Sequence, residues 1–154
     1  MSGQGSFDDR RWMAVAIGLS HMCPQSETAY SVGAVIVGAD GEEISRGFSR
    51  ETDEKVHAEE SALRKIGVAD PRLRTATIYS TLEPCAQRAS RPRTCTQLIL
   101  DAGIPRVVTA WREPSLFVAD AQGTELLTTA GVAVVELGEF ATAAMAPNAH
   151  LPIG

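Results

Sequence analysis

The second half of the chain alternates strand patterns with helix patterns, and this alternation restricts the fold more than any other feature. Strand patterns at 76–82, 106–111 and 132–137 are separated by helix patterns at 95–103 and 121–131. Strands that are joined through a helix need crossover connections, which make them parallel. The pattern therefore predicts a parallel group of strands with helices on both faces of the sheet.

The first half of the chain predicts a helix, a hairpin and a second helix. Residues 8–22 place apolar side chains at helical spacing, and 56–67 end in a glycine that is typical of a helix terminus. Between them, 32–37 and 43–50 read as paired strands around the turn signal Asp40-Gly41. Together the two halves predict an α/β protein with three α/β/α layers around one five-stranded mixed sheet.

The length and composition indicate one domain. A chain of 154 residues can bury a core of its own, so we expect a single domain over 1–154 with flexible ends at 1–6 and 147–154. We expect a short final helix within 139–150. No apolar run approaches the roughly 18 to 20 residues of a membrane span, and the first residues lack the pattern of a signal peptide. We therefore expect a cytoplasmic protein.

Charge and cysteine content narrow the classes of partner. The net charge of -5 gives no general attraction to a polyanion, so we expect no nucleic-acid polymer as partner, and no membrane. An odd count of three cysteines in a reducing compartment favours thiols or metal ligands over disulfides.

The residues that carry chemistry are a histidine, a glutamate and two cysteines. His57-Ala58-Glu59 begins one predicted helix and Pro84-Cys85 begins another, with Cys95 ten residues further on. Imidazole and thiolate are zinc ligands, and three protein ligands with a fourth position left to water are typical of a catalytic site. His57, Cys85 and Cys95 are therefore the predicted ligands, with Glu59 as a proton shuttle. The alternatives are a surface histidine and two small core cysteines.

The two cysteines are separated by nine residues, three of which are arginines: Arg88, Arg91 and Arg93. Guanidinium groups bind phosphate and carboxylate well. This loop is predicted either to recognise an anionic group or to be a solvated connector.

A histidine two residues before a glutamate, followed by Pro-Cys and a further cysteine, is typical of zinc deaminases. The chain resembles the cytidine-deaminase-like superfamily, and within it the deaminase domain of the bacterial riboflavin-pathway enzyme. The segments that carry this resemblance lie at 32–37, 47–50, 57–63, 81–85, 101–110 and 113–123.

The resemblance implies the cytidine-deaminase-like fold and one zinc ion per chain, bound by His57, Cys85 and Cys95. It also implies that Glu59 is the general acid and base. The backbone of Ala58 and Thr81 would then contact the substrate, and the chain would form a homodimer.

The chain departs from that family at positions that hold the substrate. Ala29-Tyr30 replaces Asn-Pro, Ser49 and Gln87 each replace a histidine, and Arg91 keeps the family's basic residue. We include these residues among the substrate-binding candidates. Trp111, at the end of a strand, is added as a residue that either stacks on a base or belongs to the core.

The main functional hypothesis is a hydrolytic deaminase of a small aminopyrimidine base, nucleoside or nucleotide, with a pocket that has diverged from the riboflavin-pathway enzyme. The alternative is a stand-alone riboflavin-pathway diaminohydroxyphosphoribosylaminopyrimidine deaminase. Two further hypotheses are a tRNA or DNA deaminase and a non-catalytic zinc module.

Overall fold

The computed structural model describes residues 7–85, 93–112 and 123–151. In these ranges the helices and strands are α1 (Phe7–Ser20), β1 (Gly33–Val37), β2 (Glu43–Phe48), α2 (Ala58–Ile66), β3 (Thr77–Leu82), α3 (Cys95–Ala102), β4 (Arg106–Trp111), α4 (Gly123–Thr129), β5 (Ala133–Glu136) and α5 (Ala141–Met145). Short 3-10 turns cover Pro71–Thr75, Gly138–Phe140 and Ala146–Asn148.

The strands form one mixed sheet in the order β2-β1-β3-β4-β5. β1 is antiparallel to both β2 and β3, whereas β3, β4 and β5 are parallel to one another. Val35 pairs with Tyr79, Tyr79 with Val108 and Val108 with Val135 across the sheet. The predicted five-stranded mixed sheet with parallel last strands is confirmed.

Successive strand residues point into two different cores, one on each face of the sheet. Val35 and Val108 pack in a cluster with Met13 of α1. Their neighbours Ile36 and Val107 pack in the other cluster, which α2, α3 and α4 cover. This alternation is what two buried faces of a central sheet require, and it confirms the three-layer arrangement.

A buried ion pair fixes α1 to the sheet. Both guanidinium nitrogens of Arg106 donate to Asp9, at 2.8 and 2.7 Å, and the hydroxyl of Tyr79 donates to the same carboxylate at 2.7 Å. Asp9 is 2% exposed. Burial and then this hydrogen bond raise the pKa of the Tyr79 hydroxyl.

Several predicted bounds differ from the structure. The first helix ends at Ser20 rather than 22, and β2 ends at Phe48 rather than 50. Pro84 and Cys85 do not begin a helix, since α3 begins at Cys95. The expected short final helix within 139–150 is α5, which has five residues between two 3-10 turns, and the second turn contains Pro147. Proline has no N–H for an intrahelical hydrogen bond, which explains the short helix.

The described part of the segment that we expected to be flexible, 147–151, has two buried residues. Asn148 is 1% and Leu151 5% exposed. Asn148 accepts a hydrogen bond from the Ser31 N–H at 2.6 Å and donates to the Ser31 carbonyl at 3.1 Å. Over the described ranges, no helix has the length and apolar character needed to cross a membrane.

Because Asp9 forms a buried ion pair with Arg106, we expect an Asp9→Asn variant to be less stable than the wild-type protein. Breaking a buried ion pair costs about 3–5 kcal/mol, and the partial exposure of Arg106 places this variant at the lower end. Urea unfolding of the zinc-loaded protein measures the change. The exposed neighbour Asp8→Asn is the control and should cost less than about 1 kcal/mol. Equal stability of the two variants would contradict the role of Asp9.

Candidate active site

The N-terminus of α2 presents His57 to the site. His57 is the N-cap residue with extended backbone angles, and its N–H donates to the Glu60 carboxylate at 3.2 Å. The helix can approach β2 closely because residue 47 is glycine: a Cβ placed there would lie 2.6 Å from the Ala58 carbonyl oxygen. Any larger residue would push the start of α2, and His57 with it, away from the sheet.

The N-terminus of α3 presents Cys95 in a similar way. Thr94 and Gln97 form a reciprocal capping box, with the Gln97 N–H donating to Thr94 Oγ1 at 3.2 Å and the Thr94 N–H to Gln97 Oε1 at 2.9 Å. Cys95 is therefore the first residue of the helix and is fully buried. Its N–H donates to Cys85 Sγ at 3.2 Å.

The three predicted ligands meet in one place. His57 Nδ1 lies 3.6 Å from Cys85 Sγ and 3.4 Å from Cys95 Sγ, and the three ligand atoms all lie within 4.8 Å of one another. Tetrahedral zinc with ordinary Zn–S and Zn–N bonds would place nitrogen and sulfur about 3.5 Å apart. The donor set and its spacing therefore fit zinc, with three protein ligands in the described ranges.

The electrostatics of the site favour the ionised thiol. Hydrogen bonding with the Cys95 side chain, and next with His57, lowers the pKa of the Cys85 thiol to about 4. Helix N-termini favour the same ionised form because their N–H groups point toward it. The sulfur is thus ready to bind a cation at neutral pH.

Glu59 lies at the start of α2, two residues after His57. Its side chain is 4% exposed, and burial raises the pKa of the carboxyl group. Ser80 Oγ lies 2.8 Å from Glu59 Oε2 and also 2.8 Å from the Leu82 carbonyl oxygen. A buried acid with a raised pKa beside a metal site is suited to accept and return a proton.

Sequence reasoning assigned no role to Ser80 or Glu83. The structure places Ser80 against Glu59, and Glu83 against the start of α4. Glu83 is 2% exposed and accepts the Thr124 N–H at 2.7 Å, at the start of α4. A Cβ at Gly123 would lie 2.0 Å from the Pro84 carbonyl oxygen. The position of Glu83 directly before Pro84-Cys85 was the available signal, whereas Ser80 gave none.

Three of the predicted substrate-binding residues are fully or almost fully buried. Ala58 lies between His57 and Glu59 and has no exposed surface. The hydroxyl of Thr81 accepts the Gly33 N–H at 3.2 Å, and that of Ser49 accepts the Val32 N–H at 2.9 Å. The two hydroxyls therefore hold the backbone around the start of β1.

Tyr30 and Trp111 form an edge-to-face pair with ring centroids 5.7 Å apart. They share a buried apolar cluster with Ala58, the residue that follows the ligand His57. The indole N–H of Trp111 is buried and has no hydrogen-bond partner among the described residues. Ala29, next to Tyr30, is partly exposed, and its N–H donates to Ser26 Oγ at 3.1 Å.

The arginine loop is the segment between Cys85 and Cys95, and the structure describes only its last two residues. Gln87, Arg88 and Arg91 lie outside the described residues. Arg93 lies within them, and its guanidinium forms an exposed ion pair with Asp101 of α3 at 2.6 Å. Arg93 therefore has a structural partner on the helix that follows it.

Comparison with known proteins identifies the family. Residues 6–111 match the model of the cytidine and deoxycytidylate deaminase zinc-binding region. The chain belongs to this family. The matched range contains His57, Glu59, Cys85 and Cys95.

The similar proteins include enzymes of riboflavin biosynthesis. The chain is 38% identical over 132 residues to diaminohydroxyphosphoribosylamino-pyrimidine deaminase of Schizosaccharomyces pombe, covering 84% of this chain and 32% of that protein. It is 35% identical to the riboflavin biosynthesis protein RibD of Aquifex aeolicus, covering 82% of this chain and 34% of that protein. The chain thus spans about a third of the length of these curated relatives.

A solved structure confirms the predicted fold. RibD of Acinetobacter baumannii superposes with a TM-score of 0.77 at 33% identity, covering 92% of this chain and 38% of that one. The cytidine-deaminase-like architecture that the sequence resemblance implied is therefore the observed one.

The ligand geometry predicts that zinc binding depends on two of the three cysteines. Cys95→Ala should weaken zinc binding by more than about 100-fold, because loss of a residue outside the ligand set alone costs about 10- to 100-fold. Competition with a chelator, followed by metal analysis, measures the change. Cys23→Ser, in the cysteine outside the cluster, should retain one zinc per chain; parallel loss in both variants would contradict the assignment.

Proposed function

We propose that the chain catalyses hydrolytic deamination of a small aminopyrimidine base, nucleoside or nucleotide, with release of ammonia from an exocyclic amino group. The observation that carries this proposal is the buried Glu59 carboxyl beside a cluster of three metal-binding side chains. A structural zinc site normally has four protein ligands and needs no acid beside it. Three ligands with an adjacent acid are instead typical of a catalytic zinc site.

Zinc bound by His57, Cys85 and Cys95 would supply an activated water molecule near neutral pH. Glu59 would take a proton from this water and deliver it to the ring nitrogen. It would then take the proton of the added hydroxyl group and deliver it to the leaving amine, which departs as ammonia. Burial favours its neutral form, so the proton is held until the substrate accepts it.

Ser80 can accommodate both protonation states of Glu59. When the carboxylate is ionised, the Ser80 hydroxyl can donate to it across the 2.8 Å contact. When Glu59 carries the proton, it can donate a hydrogen bond to the Ser80 hydroxyl. That hydroxyl then donates its own hydrogen bond to the Leu82 carbonyl oxygen, 2.8 Å from Ser80 Oγ. The hydroxyl therefore keeps Glu59 in place through the proton transfers.

The substrate is proposed to differ from that of the riboflavin-pathway relatives in the part bound by the loop before β1 and by the end of β2. Ala29-Tyr30 and Ser49 stand at the positions where that family resemblance expects other residues. Ser49 uses its hydroxyl on the Val32 backbone. The Trp111 N–H, which has no partner among the described residues, is a donor for an acceptor on the substrate. A buried donor without a hydrogen bond raises the free energy of the protein, and a bound acceptor would lower it.

The alternative substrate is diaminohydroxyphosphoribosylaminopyrimidine itself, which the names of the relatives favour. Formation of a homodimer stays a prediction from the family resemblance.

A substrate panel tests the proposal. Ammonia release would be measured from diaminohydroxyphosphoribosylaminopyrimidine, from free aminopyrimidines, and from cytosine and guanine nucleosides and nucleotides, with tRNA and single-stranded DNA alongside. Faster ammonia release from another small aminopyrimidine than from diaminohydroxyphosphoribosylaminopyrimidine supports a diverged pocket. Faster release from diaminohydroxyphosphoribosylaminopyrimidine supports the alternative. Activity confined to tRNA or DNA would contradict both.

Glu59→Gln should retain zinc and the fold but lose turnover, because the amide cannot carry the proton. Loss of general acid-base catalysis lowers kcat by about 10²- to 10⁴-fold, and a role in both proton transfers places the loss near the upper value. Steady-state kinetics on the substrate from the panel, with metal analysis, measures this. Glu54→Gln, an exposed control, should be unchanged. A Glu59→Gln variant with near wild-type kcat would exclude Glu59 from the mechanism.

The arginine loop is proposed to bind an anionic group of the substrate through Arg91. Loss of a charge-assisted hydrogen bond of about 1.5–3 kcal/mol predicts that Arg91→Ala lowers kcat/KM for a phosphorylated substrate by roughly 10- to 100-fold. Arg91→Lys should recover part of the loss.

Arg93→Ala is the matched control, because Arg93 is paired with Asp101. It should leave kcat/KM within about twofold of wild type, the scatter expected of a surface substitution. Equal effects of Arg91→Ala and Arg93→Ala would contradict a specific contact, and a small effect of both would make the loop a connector.

A further inference from the structure

Arg50 has an unusual backbone conformation. Within the described ranges it is the one residue other than glycine with a positive φ, at 61°. Such a conformation is unfavourable for a residue with a Cβ, and it persists only where the surrounding structure holds it. The contacts of Arg50 show what holds it.

The guanidinium of Arg50 binds a segment that precedes β1. Its Nε and Nη2 donate to the Pro24 carbonyl at 3.0 and 2.6 Å, and its Nη1 donates to the Tyr30 carbonyl at 3.1 Å. Nη2 also donates to Ser31 Oγ at 2.7 Å. One planar fork thus contacts both ends of the segment 24–31.

These contacts involve neutral acceptors. No carboxylate in the described part of the chain pairs with Arg50, although its side chain is partly buried, and this burial lowers its pKa. These neutral oxygens attract the guanidinium less strongly than a carboxylate would. The planar guanidinium, with three acceptors around it, is suited to holding a loop.

The backbone of Arg50 extends the connection to the metal site. Its N–H donates to the Val56 carbonyl at 2.8 Å, and Val56 directly precedes the ligand His57. On the other side, the segment that Arg50 holds carries Tyr30, whose ring meets Trp111. The Trp111 carbonyl accepts the N–H of Glu83, two residues before Cys85.

We propose that Arg50 is a positioning residue that holds the segment 24–31 and thereby keeps Tyr30 against Trp111 on the substrate side of the site. The role in substrate binding rests on the proposed function. The role in holding the segment rests on the contacts alone.

The test uses Arg50→Asn in the zinc-loaded protein. Asparagine adopts a positive φ more readily than arginine, so the variant relieves backbone strain while removing the fork. Hydrogen exchange should become about tenfold faster or more in the segment 24–32, because several hydrogen bonds are lost together. Exchange in α3 should not change. Arg46→Asn, which removes an exposed arginine of β2 paired with Glu43, is the matched control.

Kinetics on the best substrate from the panel form the second readout. Arg50→Asn should raise KM about tenfold with kcat within about threefold, since binding is weakened and the zinc and Glu59 stay in place. Arg50→Lys should lie between the two proteins, because an ammonium group lacks the planar fork.

Unchanged exchange in 24–32, or faster exchange throughout the protein, would overturn the positioning role. Faster exchange in that segment without a rise in KM would overturn its link to the substrate. If the wild-type protein releases ammonia from no compound in the panel, the proposed function fails, and the exchange experiment still decides whether Arg50 holds the segment.

Discussion

The active site depends on the convergence of two helix N-termini on the turn that follows β3. His57 and Cys95 begin their helices, and the Cys95 N–H points at the sulfur of Cys85. Helix N-termini stabilise negative charge, so the same geometry that ends each loop also favours the thiolate that a metal needs. The parallel pairing of β3 with β4 and the close approach at Gly47 set where these termini can lie.

Two buried acids in this protein differ in their surroundings, one in an ion pair that stabilises the fold and the other beside the metal cluster. Asp9 receives two hydrogen bonds from Arg106 and one from Tyr79, so its charge is compensated and fixes α1 to the sheet. Glu59 contacts the hydroxyl of Ser80, and no arginine or lysine of the described ranges forms an ion pair with it. Burial without such a cation raises its pKa. A buried carboxyl group with a raised pKa beside a metal cluster is typical of a functional site, which supports the proposed acid-base role of Glu59.

Two of the candidate substrate-binding residues support the backbone. The hydroxyls of Thr81 and Ser49 accept the N–H groups of Gly33 and Val32, which fixes the start of β1. The aromatic pair of Tyr30 and Trp111 supplies apolar surface and an indole N–H that has no partner in the described ranges. The proposed role of this pair in substrate binding therefore depends on how the segment before β1 is held.

The sequence by itself determined the order of helices and strands, the parallel part of the sheet and the cluster formed by His57, Cys85 and Cys95, together with Glu59 beside it. These follow from local periodicity, helix-start signals and motif spacing, all of which can be read along the chain. Contacts between distant residues could not be read in this way. Ser80 meets Glu59 across 21 positions, Glu83 meets Thr124 across 41, and Arg50 reaches Pro24 across 26. A hydroxyl, a carboxylate or a guanidinium has many possible partners in a sequence, and only the packing of the helices against the sheet decides which one lies within hydrogen-bonding distance.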